Sequence, residues 1–323
     1  MGRPRALRGV TAVLALCLLV AGCGSGPSQV RAAAFLPGHE ISVDQVQQLI
    51  DRAVQEQPAA QQLAQQHKLD QVGREAVRQL VLHDLITRAA SREGLTTDPA
   101  LATQLAASLD RPVSINDVDP SQLATAIVAR VRDHGEYASD YLLERALGAK
   151  YFDKLAITFD YTTVSSDDGA TRRDKAFAKA AEMAASPDSA AKVVAADTAA
   201  GQEARTGMRF AAVQSPDLAS TVLYGVPAGT VVTFEADPGQ ALWLVAVIRQ
   251  RDAGTPVSVD QASTPTAGQL ASLGIRLLQP YLSDTGVKIN PRYGVWDPVA
   301  MDLAPSAAES TGLVLPVKGY VQP

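Results

Sequence analysis

At Ala156 the spacing of apolar residues changes, and this constrains the fold more than any other feature of the chain. Up to Phe152 apolar side chains recur every three or four residues, the period of a helix face. From Ile157 they alternate: Ile157, Phe159, Tyr161 and Thr163 point one way, with Thr158, Asp160 and Thr162 between them, as in a half-buried strand. A mainly helical unit therefore precedes a smaller α/β unit, and the fold class is α+β.

In the helical unit, Phe35 and Leu36 close a short apolar strand and Pro37-Gly38 supplies a tight turn. Ser42 and Gln45 have the spacing of a capping box, so a helix begins at Val43. Val43, Val46, Leu49, Ile50, Ala53 and Val54 share one face, and the pattern stops near Pro58. The Gln-rich stretch to Gln66 reads as a solvated helix end or loop. A second helix, from Leu69 to about Arg92, turns Val72, Ala76, Leu80, Leu85, Ile86 and Ala89 inward and ends at a Gly94 cap. Asp98-Pro99 and Asp119-Pro120 each set an N-cap residue before a proline at the first helical position. Tyr137 to Leu155 is the helix that leads out. The N-D-V-D run at Asn116 lacks the glycine and distal glutamate of a calcium loop, and no metal is expected. The first two helix faces need a partner from elsewhere in the chain.

After the strand at Ala156, Arg172 to Ala185 reads as a helix burying Ala176, Phe177, Ala180 and Met183, followed by a second alanine-rich segment. Gly201 to Gly207 is a polar, Gly-containing stretch, and Pro216 to Leu223 a short helix. Val226 to Glu235 leads into a strand, Asp237-Pro238-Gly239-Gln240 forms a hairpin turn, and Ala241 to Arg249 is a buried strand. A Thr-, Ser- and Pro-rich linker to Thr266 precedes a helix from about Ala267 to Leu282, which supplies the missing partner face. Asn290, Arg292, Tyr293, Trp296 and Asp297 lie among prolines and glycines and read as a structural clasp for the C-terminal segment, and the residues after Pro298 as a loose tail.

Arg3, Arg5 and Arg8, the apolar run from Val10 to Val20 and V-A-G-C ending at Cys23 have the order of a lipoprotein signal peptide. Residues 1–22 are expected to be removed and Cys23 to carry a diacylglycerol thioether, anchoring the chain to the membrane without spanning it. Cys17 is the only other cysteine, so no disulfide is expected. A formal charge of -5 argues against a nucleic-acid partner.

The succession of apolar strand, Gly turn, I-S before a helix, and L-I-T-R-A-A-S-R-E-G-L closing the next helix resembles the N-terminal domain of SurA-like periplasmic chaperones. The later order of strand, helices, Gly-bearing loop, short helix, P-A-G-T-V and a strand ending A-V-I-R resembles a parvulin-type prolyl isomerase domain. The resemblance implies residues 23–36 as tether and first strand, 37–155 as the SurA-N-like helical domain and 156–252 as the parvulin-like domain. It also implies that 253–298 return to complete the helical domain, and that 299–323 are tail. Two histidines of the parvulin family align near Asp160-Tyr161 and near Trp243, and neither is present. All four histidines precede the domain, which also excludes a Ser-His-Asp triad or a histidine zinc site there.

These features give an expectation: a lipid-anchored, extracytoplasmic protein that binds unfolded or exported polypeptides in an apolar groove of the helical domain, without catalytic residues, cofactor or metal. Prolyl isomerisation remains an alternative, since rotation about the amide needs no nucleophile, and Met208, Phe210, Phe234 and Trp243 are the candidate pocket. A solute-binding lipoprotein is a third reading, disfavoured by the lack of repeated strand-helix units.

Overall fold

A computed structural model of the chain describes residues 31–165, 169–237, 239–283 and 286–321; the expected signal peptide and Cys23 lie outside the described residues. Strands β1 (Ala32–Leu36) and β2 (His39–Ser42) form an antiparallel hairpin around Gly38, whose φ of 74° suits glycine. Ser42 and Gln45 then cap each other across the start of α1 (Val43–Glu56). Helices α2 (Pro58–Gln65), α3 (Leu69–Glu93), α4 (Pro99–Ser108), α5 (Leu123–Val131) and α6 (His134–Phe152) follow. The Gln-rich segment, expected as a solvated helix end or loop, is a helix of its own with a buried face, because Pro58 starts α2 and Ala59, Ala60 and Leu63 are buried. Buried Gln57 accepts from the Val113 backbone at 3.0 Å, so this glutamine is a structural bracket.

The second unit consists of β3 (Ala156–Val164), α7 (Gly169–Met183), α8 (Ser189–Ala199), β4 (Ala204–Ala211), α9 (Pro216–Ala219), β5 (Thr230–Asp237) and β6 (Leu242–Asp252). These strands, with β10 from the C-terminal segment, form one antiparallel sheet in the order β10-β5-β6-β3-β4. Alternation divides its residues between two cores. Trp243, Val245 and Val247 pack with Ala176, Ala180 and Met183 of α7. Ala246, Ile248, Val232 and Phe159 face the core shared with the helical unit. The polar Gly201 to Gly207 stretch already enters β4 at Ala204, where an edge strand tolerates exposed Arg205 and Arg209.

Helix α10 (Ala267–Leu277) lies against α6 so closely that a Cβ added to Gly148 would sit 1.9 Å from the Leu270 carbonyl oxygen, and one added to Gly274 1.9 Å from that of Glu144. Glycine at both positions lets the two backbones touch. The expected single helix breaks at Leu278, and α11 (Gln279–Ser283) follows. Beyond it, β7 (Lys288–Ile289) pairs with β1, bringing the C-terminal segment against the first strand.

The tail is not loose. After β8 (Val295–Asp297), β9 (Asp302–Ala304) forms its antiparallel partner, and β10 (Gly312–Pro316) pairs with Thr230 to Phe234 of β5. The outer edge of β5 would otherwise present unpaired backbone groups, and this short strand covers them. Val317 then donates to Gly229 at 2.8 Å, Lys318 donates to Ala184 at 2.9 Å, and the Tyr320 ring occupies the space where a side chain at Gly229 would be.

Candidate functional site

The four apolar candidates separate into two places. Met208 and Phe210 lie half-buried on edge strand β4, in register with Phe159 and Ile157 of β3. The Phe159 ring centroid is 6.2 Å from that of Phe210 and 6.0 Å from that of Tyr161. Phe234 and Trp243, on β5 and β6, instead line a surface groove of about 690 Å³. They do not share a pocket with the first two, because β3 and β6 stand between β4 and β5.

The groove has an apolar floor and mixed charge at its sides. Phe234 and Trp243 are 8% and 6% exposed, and Val222 and Val299 join them. Trp243 meets Phe177 edge-on at 5.7 Å, and the Arg173 guanidinium lies 4.2 Å above the Phe177 ring. Arg173 also donates to the Ser310 carbonyl at 3.1 Å, which fastens α7 to the C-terminal segment. Arg276 donates from Nε to Ser220 at 2.8 Å and from Nη1 to Val299. Burial, with some repulsion from Arg78, pulls the Arg276 guanidinium down to about 10. Glu235 and Glu309 supply acids at the same lining.

Asp160, Tyr161 and Trp243 are each engaged by neighbouring groups. Asp160 accepts from the Gly207 backbone and from Arg249 Nε, both at 2.7 Å, and Tyr161 donates to Glu203 at 3.0 Å. Trp243 lies on the α7 side of the sheet. On the opposite side, beside Phe210, a turn carries Leu223 and fully buried Tyr224, whose hydroxyl donates to the Phe210 carbonyl at 3.1 Å. Burial pushes the Tyr224 hydroxyl well above the usual tyrosine range. Side chains fill the space between this turn and the sheet.

The five residues read as a clasp are tied as follows. Asn290 donates from its side chain to Ala32 at 2.8 Å and from its backbone to Ala33 at 2.9 Å. Its Oδ1 accepts from Arg292 N at 3.0 Å, starting a tight turn that sets Arg292 over the Tyr293 ring at 5.8 Å. Buried Tyr293 packs at Gly73 of α3, where an added Cβ would lie 3.6 Å from the ring. Trp296 sits in β8 opposite Leu303. Asp297, 1% exposed, accepts from Val299, Ala300 and Thr311 backbone groups, so its charge is met by three N–H donors.

The interior of the helical unit holds a network that sequence spacing did not suggest. Glu75 accepts from Arg78 at 3.1 Å and from Gln79 at 2.8 Å. Arg132, at the end of α5, donates to Glu136 and Asp140 of α6, each at 2.8 Å, and His83 meets Asp140 at 2.8 Å. The Asp140 hydrogen bond raises the His83 imidazole above its ordinary value against the opposing effect of burial. Positions 75, 78, 79 and 83 lie outside the set expected to face inward on this helix, yet Glu75 and Gln79 are buried. The cavity beside them is therefore lined by charged groups, whereas the groove at Phe234 and Trp243 lies beside the sheet.

Among the described residues no cluster of His, Cys, Asp and Glu has the grouping of a metal site, and no helix is long and apolar enough to cross a membrane. Comparison of the chain with known protein families, curated proteins and solved structures finds no match.

Proposed function

We propose that this is a lipid-anchored, SurA-like chaperone of the extracytoplasmic membrane face, which binds unfolded or exported polypeptides without isomerising them. The observation that carries the reading is the groove floored by Phe234 and Trp243, because it sets apolar side chains beside polar groups and both signs of charge. An extended polypeptide needs such a mixture, since its side chains seek apolar contact while its backbone needs hydrogen bonds. The element order of the second unit supports a parvulin-like origin. Two features argue against catalysis: neither family histidine is present, and Tyr224 fills the space against the sheet. Binding needs only apolar area and edge contacts, whereas catalysis needs tighter binding of the twisted amide than of the planar one.

The test pairs two assays on one preparation. The protein is expected to delay aggregation of a chemically unfolded polypeptide and to leave the rate of X-Pro isomerisation in a protease-coupled peptide assay unchanged. A rate that rises in proportion to protein concentration, and falls with Phe234→Ala or Trp243→Ala, would establish the isomerase instead. Anchoring has its own test: Cys23→Ser should move the protein out of the membrane fraction, and an unchanged fraction would contradict the lipid anchor.

A further inference from the structure

The charged network of the helical unit borders a cavity of about 250 Å³ between α3, α5, α6 and α10. Both guanidiniums at its wall already have carboxylates: Arg78 has Glu75 at 3.1 Å, and Arg132 has Glu136 and Asp140 at 2.8 Å. Glu144, one turn along α6 from Asp140, lines the same cavity and makes no hydrogen bond or contact ion pair among the described residues. Arg132 keeps its Nε–H without an acceptor although its side chain is only 3% exposed. Tyr137, Tyr141 and Ser272 complete the polar wall.

The unmet groups therefore comprise an acid with no hydrogen-bond partner and a buried donor, beside two tyrosine rings. Water filling the cavity would satisfy the donor but would not offset the charge of an ionised Glu144, which therefore keeps its proton. An ammonium group offsets that charge, and tyrosine faces favour a cation nearby. We propose that this cavity binds a small primary amine carrying a hydrogen-bond acceptor, its ammonium held by Glu144 beside Tyr137 and Tyr141 and its acceptor meeting Arg132 Nε–H.

The empty site predicts a proton signature. Burial holds the Glu144 carboxyl up at about 8, with Arg78 and Arg132 drawing it down and Asp140 pushing it further up. Around it stand Glu75, Arg78 and His83 of α3, Arg132 at the end of α5, Glu136, Tyr137 and Asp140 of α6, and Asp302 of β9 beside Arg78. From α10, Ser272 lines the cavity and Arg276 acts on Arg78. An ammonium ligand must displace the Glu144 proton, so its affinity rises about tenfold per pH unit below that value and flattens above it. Because α10 covers the cavity, occupancy also stabilises the fold.

The experiment titrates the full chain with ethanolamine hydrochloride by calorimetry at pH 6, 7 and 8, in two buffers of different ionisation enthalpy, beside sodium chloride at equal ionic strength. Saturable binding, release of about one proton at pH 7 and about a tenfold loss of affinity in Glu144→Gln are expected. This variant keeps the shape of the protonated acid. A response no larger than that to sodium chloride, proton uptake instead of release, or undiminished binding by Glu144→Gln would overturn the proposal. The wild-type proton count decides the matter even if the variant fails to fold.

Discussion

Between α7 and the five-stranded sheet the buried contact is made by Ala176, Ala180, Met183, Val245, Val247 and Trp243, and the Lys179–Asp197 and Arg249–Asp160 pairs lie at its margin. Between α3, α5, α6 and α10 it includes Glu75, Gln79, Arg132, Asp140 and Glu144. Both contacts bury surface, but they specify geometry differently. The sheet core depends on complementary volume. The helical core depends on directional pairs and on two glycines, features that fix helix register and link folding to protons. Substitutions should therefore cost most in the helical unit.

The largest expected effect is that of Arg132→Ala, which leaves Asp140 buried without its cation and should cost about 3–5 kcal/mol in denaturant unfolding. A loss below about 1 kcal/mol would mean that water solvates the pair and that the contrast with the sheet is unfounded. Next comes Gly274→Ala. Its Cβ would meet the Glu144 carbonyl oxygen at 1.9 Å, so α6 and α10 must separate, at a cost of about 3 kcal/mol. Gly254→Ala, with nothing within 4 Å, is the control and should change stability by less than about 0.5 kcal/mol.

Dependence on pH sharpens the comparison further. His83 has its folded value raised above 6.5, so the stability it supplies is complete below that point and is lost as pH rises through the folded value. Glu144, raised from 4.5 to about 8, holds its proton more tightly when folded, and its contribution is lost as pH rises across that interval. Glu93 is lowered by its Lys150 hydrogen bond, so its contribution is lost only as pH falls below 4.5 and through the folded value. Urea midpoints should therefore fall between pH 6 and pH 9, and Glu144→Gln should flatten part of the slope. The smallest core effect belongs to the sheet side: Met183→Leu keeps the volume of a buried α7 side chain packed on the sheet and should cost less than about 1.5 kcal/mol, equally at both pH values. A cost that varied with pH would show that the sheet core is coupled to the charges after all.

Local chemistry was the most legible part of the sequence. The Ser42–Gln45 box, the Asp98 cap before Pro99 and the left-handed Gly94 cap each act through neighbours within a few residues, so spacing alone exposes them. Long-range partners were not legible in the same way. Glu75 and Gln79 look solvated until Arg132, more than fifty positions later, arrives beside them. Gly148 and Gly274 are unremarkable until two helix backbones meet there. Strand β10 hides in a Pro-, Ala- and Ser-rich context because its order comes from the edge of β5. For the candidate pocket, residue type identified Phe234 and Trp243 as groove residues, but alternation along strands could not tell that Met208 and Phe210 belong to the opposite edge.

The central claim is that a polypeptide occupies the groove at Trp243. The direct measurement uses Trp296→Phe, which leaves Trp243 as the sole tryptophan, and follows its fluorescence during titration with a chemically unfolded polypeptide. A saturable change in Trp243 emission over the same concentration range that suppresses aggregation is predicted. Suppressed aggregation with unchanged Trp243 emission would contradict the claim and place polypeptide binding elsewhere on the molecule.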